Sequence, residues 1–387
     1  MESVPLIRTR GLTKQFLISA GKKIRKTRFT AVNGVSLDIN KGEVFGLVGE
    51  SGCGKSTLAS LMLRLSDADS GSLFYGDTDI TNLSYGKMRR LRKNMQIVFQ
   101  DPYDSLDPRF TLKKIMEEPL RIHRSGNRSQ RLEKIKAMFE AVGLDSDMLG
   151  RYPHQLSGGQ RQRLCIARSL ILSPEFLVCD EAVAALDVSV QAQILNLLLD
   201  LKDEFNLTYL FISHNLAVVK FMADRIGVMY FGNLVELADT EALFNDVRHP
   251  YTAALLSAVP DPDPTSTNQR DILRSGVPSL INPPSGCVFH PRCDRADAKC
   301  SATAPELRDI GGNHFVACHK ARDASDTHDM VFIPRIEHAV WETSEAQEIR
   351  ETQETQEIQE IRETQEAQET QSIRETQEIQ VQEGSQI

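Results

Sequence analysis

The chain has 387 residues, 41% hydrophobic and 25% charged, the composition of a globular chain with room for one large domain and a smaller one. Its net charge of −8 is unevenly placed: residues 342 to 387 hold thirteen Glu and three Arg, which leaves the body before them close to neutral. That body has neither the basic surplus of a nucleic-acid binder nor the surface of an acidic substrate trap, and no nucleic-acid partner is expected.

No run reaches the roughly 18–20 apolar residues that cross a bilayer, and Met1 to Arg10 lacks an apolar stretch followed by a small-residue cleavage site. The chain is therefore expected to stay in the cytoplasm. Residues up to about 101 read as strands, turns and one helix: Ala31 to Ile39 alternates, and Glu43 to Val48 is a short apolar run ending in a glycine-rich loop. From about 103 to 155 the pattern turns helical and polar, as in Leu112 to Arg121 and Arg131 to Val142. Apolar strands return at Phe176 to Cys179 and Tyr209 to Ile212, so the order predicts a parallel α/β core with a helical insertion. Pro260, Pro262 and Pro264 break any helix, which places a boundary near 260. The last segment repeats triplets such as Glu351-Thr352-Gln353. A period of three slips against the helical 3.6, and disorder is the favoured reading.

Gly49-Glu50-Ser51-Gly52-Cys53-Gly54-Lys55-Ser56 follows a strand and opens a helix at Thr57, as a phosphate-binding P-loop requires. Its glycines let backbone N–H groups converge on phosphate oxygens, Lys55 reaches the β- and γ-phosphates, and the Ser56 hydroxyl is placed to ligate Mg²⁺. The apolar strand ending in Asp180-Glu181 supplies the second half: neighbouring side chains of a strand point opposite ways, so Asp180 serves the Mg²⁺ shell and Glu181 the attacking water. Leu156-Ser157-Gly158-Gly159-Gln160 lies 102 residues after Lys55 and opens a strong helix. It is a second helix-start anion site that the first P-loop does not need.

At this spacing the pentapeptide resembles the signature of the ABC-type ATPase family, and the resemblance covers about residues 5 to 320. It implies an α/β fold with an antiparallel β subdomain, a parallel RecA-like core and a helical subdomain at about 103–172, all within 1–260. A small irregular Cys-containing domain is expected at 261–325, and a low-complexity Glu/Gln/Thr tail at 326–387. The resemblance also implies ATP and Mg²⁺ as cofactors. By it, Gln100 is the Q-loop residue that senses Mg²⁺ and water, His214 the switch histidine at the γ-phosphate, and Phe16 the aromatic on adenine. In this family two subunits sandwich two ATP molecules, each between one P-loop and the other chain's signature Ser, so a second ABC ATPase subunit is implied. Ala182 and Ala184 depart from the Pro and Ser usual there, which opens a reading as an ATP-binding but hydrolytically weak partner.

His249-Pro250-Tyr251-Thr252 and Asn282 to Cys293 resemble the C-terminal extension of dipeptide/oligopeptide importer ATPases. That resemblance implies two transmembrane permease subunits, an extracytoplasmic solute-binding protein acting indirectly, and a peripheral place on the cytoplasmic face of the membrane. Residues 103 to 155, with Met116-Glu117-Glu118-Pro119-Leu120, are expected to carry the groove for a permease's coupling helix. Cys287, Cys293, Cys300 and Cys318 lie 6, 7 and 18 residues apart. Four thiolates suit zinc or iron–sulfur, and the resemblance implies a [4Fe–4S] cluster. Cys53, at a helix start beside Lys55, is either a reactive thiolate that ATP protects or an inert small residue. The alternative class is a soluble ABC ATPase that moves no solute, such as a phosphonate-degradation component. The Lys55–Ser157 interval leaves no room for the coiled coils of the chromosome-maintenance type.

Overall fold

The structure, a computed structural model, describes residues 5–19, 26–101, 105–258 and 283–321. All of them belong to one of two compact units, the first spanning 1–259 and 268–333. The expected tail at 326–387 and the proline-broken stretch from 260 lie outside the described residues, apart from its end at Pro283 and Pro284.

Strands β1 (Pro5–Ser19) and β2 (Lys26–Asn40) pair antiparallel, with Ile7 opposite Ile39 and Thr9 opposite Leu37. The Thr9 hydroxyl is buried and satisfied by the Leu37 N–H at 3.0 Å. With β4 (Ser70–Tyr75) and β5 (Thr78–Asp79) they form a sheet in the order β2-β1-β4-β5.

The second sheet carries the chemistry. β3 (Val44–Val48) and β8 (Thr208–Ile212) are buried at every position, and β7 (Phe176–Asp180) at all but its last residue. Such unbroken apolar runs form strands covered on both faces, which is the setting of parallel pairing. β3 indeed lies parallel to β8 and to β9 (Arg225–Tyr230), while β7 lies parallel to β8 and to β6 (Met95–Val98). All these strands therefore end on the same side, where a parallel sheet offers its site. Helix Lys55–Met62 leaves that side and buries Leu58, Leu61 and Met62 in one apolar cluster with Ile7, Val32, Phe45, Leu47 and Leu210. The cluster thus locks the first sheet to the second.

The parallel part is extended at one edge by antiparallel strands. β10 (Asn233–Asp239) pairs with β9, and β12 (Phe315–Val316) with β10, placing Glu236 opposite Val316; β11 (Arg308–Asp309) closes the order. Chain from beyond residue 300 thereby covers a strand edge that would otherwise offer unpaired backbone groups. The insertion contributes helices Leu112–Ile122, Arg128–Ala141 and Gly158–Leu170. Asn127 starts the second with a capping box, its side chain accepting from Gln130 N at 3.0 Å and the Gln130 side chain answering at 2.9 Å.

Candidate functional site

Two glycines give the P-loop its shape. A Cβ on Gly49 would stand 2.1 Å from the Met229 carbonyl oxygen, and one on Gly54, at φ +109°, 2.1 Å from that of Ala31. Both positions exclude any side chain, which keeps the loop close to β9 and β2. Gly54 also stands at the N-terminus of helix Lys55–Met62, so the helix dipole points at whatever the loop encloses. Lys55 is buried and donates from Nζ to the Gly49 carbonyl at 2.7 Å and the Glu50 carbonyl at 3.1 Å. The ammonium is held within the loop, where phosphate charge can be met.

The β7 strand brings the carboxylates to the same place. Ser56 Oγ donates to Asp180 Oδ1 at 3.1 Å across 124 residues of sequence. Burial raises the Asp180 carboxyl above its usual range, opposed by the Ser56 hydrogen bond. A hydroxyl and a carboxylate side by side are the hard oxygen donors that Mg²⁺ takes, together with phosphate and water oxygens, so these residues fit that ion. Glu181 has φ +49°, a left-handed conformation that costs a non-glycine residue about 1 kcal/mol or more, and its N–H is fixed by the Ile212 carbonyl at 3.0 Å. His214, just past β8, sets Nδ1 3.4 Å from Glu181 Oε1. Thus Lys55, Ser56, Asp180, Glu181 and His214 are brought together by the ends of three neighbouring parallel strands.

The signature residues are organised differently. Ser157 caps helix Gly158–Leu170, its Oγ accepting from Gln160 N at 3.2 Å while Gln160 Oε1 accepts from Ser157 N at 3.1 Å. Ser157 and Gly158 are exposed, and among the described residues no hydrogen bond joins this turn to the P-loop. Gly159 leaves no room for a side chain, since a Cβ there would lie 2.7 Å from Val190. Gln100 is exposed after β6, and Phe16 is 38% exposed, stacked on Phe29 with centroids 5.6 Å apart and with Lys14 over its ring. Ser51, Gly52 and Thr57 lie in the loop or the first turn of its helix.

Cys53 resolves one open reading. It is buried, and that burial raises its thiol above the ordinary value, outweighing the favourable charge of Lys55, 3.9 Å away. The reactive-thiolate expectation is therefore corrected: the helix-start field is real, but the side chain is turned inward under the loop. In the insertion, Met116 and Leu120 are buried and Glu117 is bound to Arg131, so of the stretch 116–120 it is Glu118 that reaches a groove of about 570 Å³. Leu106, Phe110, Ile115 and Arg168 line it as well, and Glu118 pairs with Arg168 at 3.1 Å.

Cys287, Cys293, Cys300 and Cys318 all face one small cavity with His290 and His319. The segment is drawn together by Cys287 N–H donating to the Cys300 carbonyl at 2.7 Å, and by Gly286, whose missing Cβ leaves space for that same carbonyl. Burial raises the thiols of Cys287, Cys293 and Cys318. All four sulfurs are free, yet among the described residues no three Cys, His, Asp or Glu side chains are gathered at metal-ligand spacing. The donor set has the chemistry of a thiolate-bound group. The expected [4Fe–4S] cluster has no assembled ligand group behind it.

Sequence reasoning missed one residue at the nucleotide loop. Arg292, between Cys287 and Cys293 in order, reaches Glu50 with two hydrogen bonds of 2.9 Å. No local pattern could announce a partner 242 residues away.

The family described as ABC transporter matches residues 32–184, and that described as oligopeptide/dipeptide transporter, C-terminal region, matches residues 235–300. The oligopeptide transport ATP-binding protein AppF of Bacillus subtilis is 48% identical over 318 residues, covering 81% of this chain and 97% of that one. An ATP-binding protein of Brucella ovis named for peptide import is also 48% identical over 318 residues, 82% of this chain and 98% of its own. Among solved structures, the dimeric bacterial ABC transporter cassette MJ0796 aligns with TM-score 0.54 and 26% identity over 60% of this chain and 98% of that chain. Its post-hydrolysis dimer with ADP and Pi aligns equally well. The P-loop, the carboxylate pair and the signature turn on this fold, with these relatives over most of its length, mean that the chain belongs to the ABC transporter ATPases, in the branch that carries the oligopeptide/dipeptide transporter C-terminal region.

Proposed function

We propose that the chain is the ATP-hydrolysing subunit that energises peptide import through two transmembrane permeases, working beside a second ABC ATPase subunit at the cytoplasmic face of the membrane, with a solute-binding protein delivering peptide outside. The observation that carries this is the meeting of Lys55, the Ser56–Asp180 pair and Glu181 at one end of the parallel sheet, in a chain with an oligopeptide-type C-terminal region. No described helix is long and apolar enough to cross a membrane, which suits a subunit that works through partners.

ATP is bound with its phosphates on N–H groups of the P-loop and on Lys55, and with adenine against the exposed face of Phe16. Mg²⁺, held by Ser56, Asp180 and Gln100, would neutralise charge on the β- and γ-phosphate oxygens. Glu181 Oε orients and deprotonates the attacking water, and His214, now beside Glu181 Oε1, steadies that carboxylate and meets the γ-phosphate. Ser157, Gly158, Gly159 and Gln160 face the ATP held by the partner ATPase, which accounts for the exposure of Ser157 and Gly158 and for the lack, among the described residues, of a hydrogen bond from this turn to the P-loop. The groove at Glu118, Phe110 and Arg168 receives the permeases' coupling helix, and Gln100, at the β6 end, links nucleotide state to it.

Affinity purification of the chain from its native membranes in gentle detergent, with mass spectrometry of what accompanies it, tests this. Two multi-spanning permeases are expected, with a second ATPase subunit where the pair is mixed; soluble partners alone would move the chain to a non-transport ATPase role. At the cysteine cavity we assign the [4Fe–4S] cluster to Cys287, Cys293, Cys300 and Cys318, supported by four free thiols on one cavity. Anaerobic purification should then return about four iron and four sulfide per chain. One zinc without sulfide would replace the cluster by a structural zinc site.

A further inference from the structure

Glu50 is an odd residue to find in a loop that collects phosphate charge, because its carboxylate adds a negative charge where anions must bind. The structure fixes it at three points. Its N–H donates to the Tyr251 hydroxyl at 2.9 Å, its carbonyl accepts from Lys55 Nζ at 3.1 Å, and its carboxylate accepts from Arg292 Nη1 and Nη2, each at 2.9 Å. Two of the three partners come from beyond residue 250. The Arg292 side chain is only 4% exposed, and Nη1 also lies 3.4 Å from the Tyr230 hydroxyl. A bidentate guanidinium–carboxylate pair at this depth is both directional and strong.

The support behind Arg292 is equally defined. It ends a short turn, His290–Arg292, closed by His290 N–H to the Cys287 carbonyl at 3.0 Å and Arg292 N–H to the Phe289 carbonyl at 3.0 Å. Phe289 is buried edge-on to Tyr230, with centroids 5.3 Å apart, and lies 5.5 Å from Tyr251, while Tyr230 and Tyr251 are 4.5 Å apart. Three aromatic rings therefore form a rigid wedge between the cysteine-bracketed turn and the nucleotide loop.

We propose that Arg292 is a positioning residue for ATP: carried by the cysteine segment, it cancels the charge of Glu50 and holds the P-loop in its phosphate-accepting shape, so that the C-terminal segment sets nucleotide affinity. The proposal rests on the reading that this P-loop binds ATP. Without Arg292, the Glu50 carboxylate stands free beside the phosphates and repels them.

The test is MgATP binding by isothermal titration calorimetry on the full chain, with thermal unfolding of each nucleotide-free variant recorded in parallel. Arg292→Met keeps an unbranched apolar side chain in place of the stem and removes the charge, and it is expected to weaken MgATP about tenfold. Adding Glu50→Gln to Arg292→Met should recover the affinity to within about threefold of the parent, since the repelling charge is then gone. A purely structural role for Arg292 predicts no such rescue. Affinity unchanged in Arg292→Met, or a double variant as weak as the single one, overturns the proposal. Should Arg292→Met not fold, Arg292→Lys, which keeps charge but not the two-pronged geometry, is expected to give an intermediate loss, and parent-like affinity there overturns it equally. Lys55→Ala separates the two readings. If it binds MgATP like the parent, the P-loop assignment itself fails; if it loses binding while Arg292→Met does not, only the role of Arg292 falls.

Discussion

The two helix starts that the sequence offers to phosphate are built in opposite ways. The P-loop is wired into its own subunit: Lys55 to two loop carbonyls, Ser56 to Asp180, Glu50 to Tyr251 and Arg292. The signature turn is held locally, by the reciprocal Ser157–Gln160 bonds and by Arg161 on the Leu156 carbonyl, and its Ser157 and Gly158 stand exposed. A site that must position reacting atoms needs partners that cannot move. A site that must be offered to another molecule needs to stand open, as Ser157 and Gly158 do. The contrast suits the proposed division, with chemistry at the first and assembly at the second.

The sharpest way to break that division is Glu181→Gln. On the proposed function it removes the base that takes the water's proton and spares the phosphate-binding loop, so turnover is expected to fall at least about a hundredfold while ATP binding persists and dimers accumulate. Steady-state phosphate release with parallel gel filtration in ATP checks it, and unaltered turnover would remove Glu181 from its role. Ser157→Ala bears on the other half. If the turn serves the partner's nucleotide, turnover should drop about tenfold with ATP affinity of the isolated chain unchanged; a loss of affinity by the isolated chain would mean that the turn acts within its own subunit.

A gentler probe uses acid. Burial lowers His249 from 6.5 to about 4, opposed by the nearby Glu236 carboxylate. The unfolded chain then binds the extra proton first, so the stability held at neutral pH erodes as pH falls from about 6.5 and is lost by about pH 4, by an order of 1–3 kcal/mol. Denaturant unfolding across that range should show the slope, and His249→Gln should flatten it. The smallest effect is expected from Ala184→Ser, which supplies a hydroxyl beside Glu181: turnover should rise by no more than about threefold, and a far larger rise would mark the parent as a hydrolytically weak partner.

Much of the catalytic side was legible in the chain because its signals are short and contiguous. A P-loop is eight residues in a row, and the buried strands β3, β7 and β8 are unbroken apolar runs whose ends deliver Gly49, Asp180 and Ser213 without reference to distant sequence. What escaped were pairings whose partners are remote or whose elements are tiny. β11 and β12 have two residues each, too few for any periodicity, and Arg292 reads locally as an ordinary basic residue among prolines and cysteines. The Cys53 thiol was left between two readings for a related reason. The field at a helix start follows from sequence, whereas the burial of the Cys53 side chain, its Sγ in the space beside Gly49, follows from packing.

The closing of the β10 edge by β12 also has a place in time. Glu236 is completely buried and has as its partners the Arg248 N–H, the His249 N–H and, 78 residues later, His314 at 2.8 Å. At about 5–20 residues per second, synthesis needs roughly 4–16 s to travel that interval. Until residues 308–316 are in place, β10 lacks its pairing with β12 and Glu236 lacks His314. The C-terminal segment thus acts as an edge cover for the ATPase sheet, and the order of synthesis makes it the last part of that sheet to arrive.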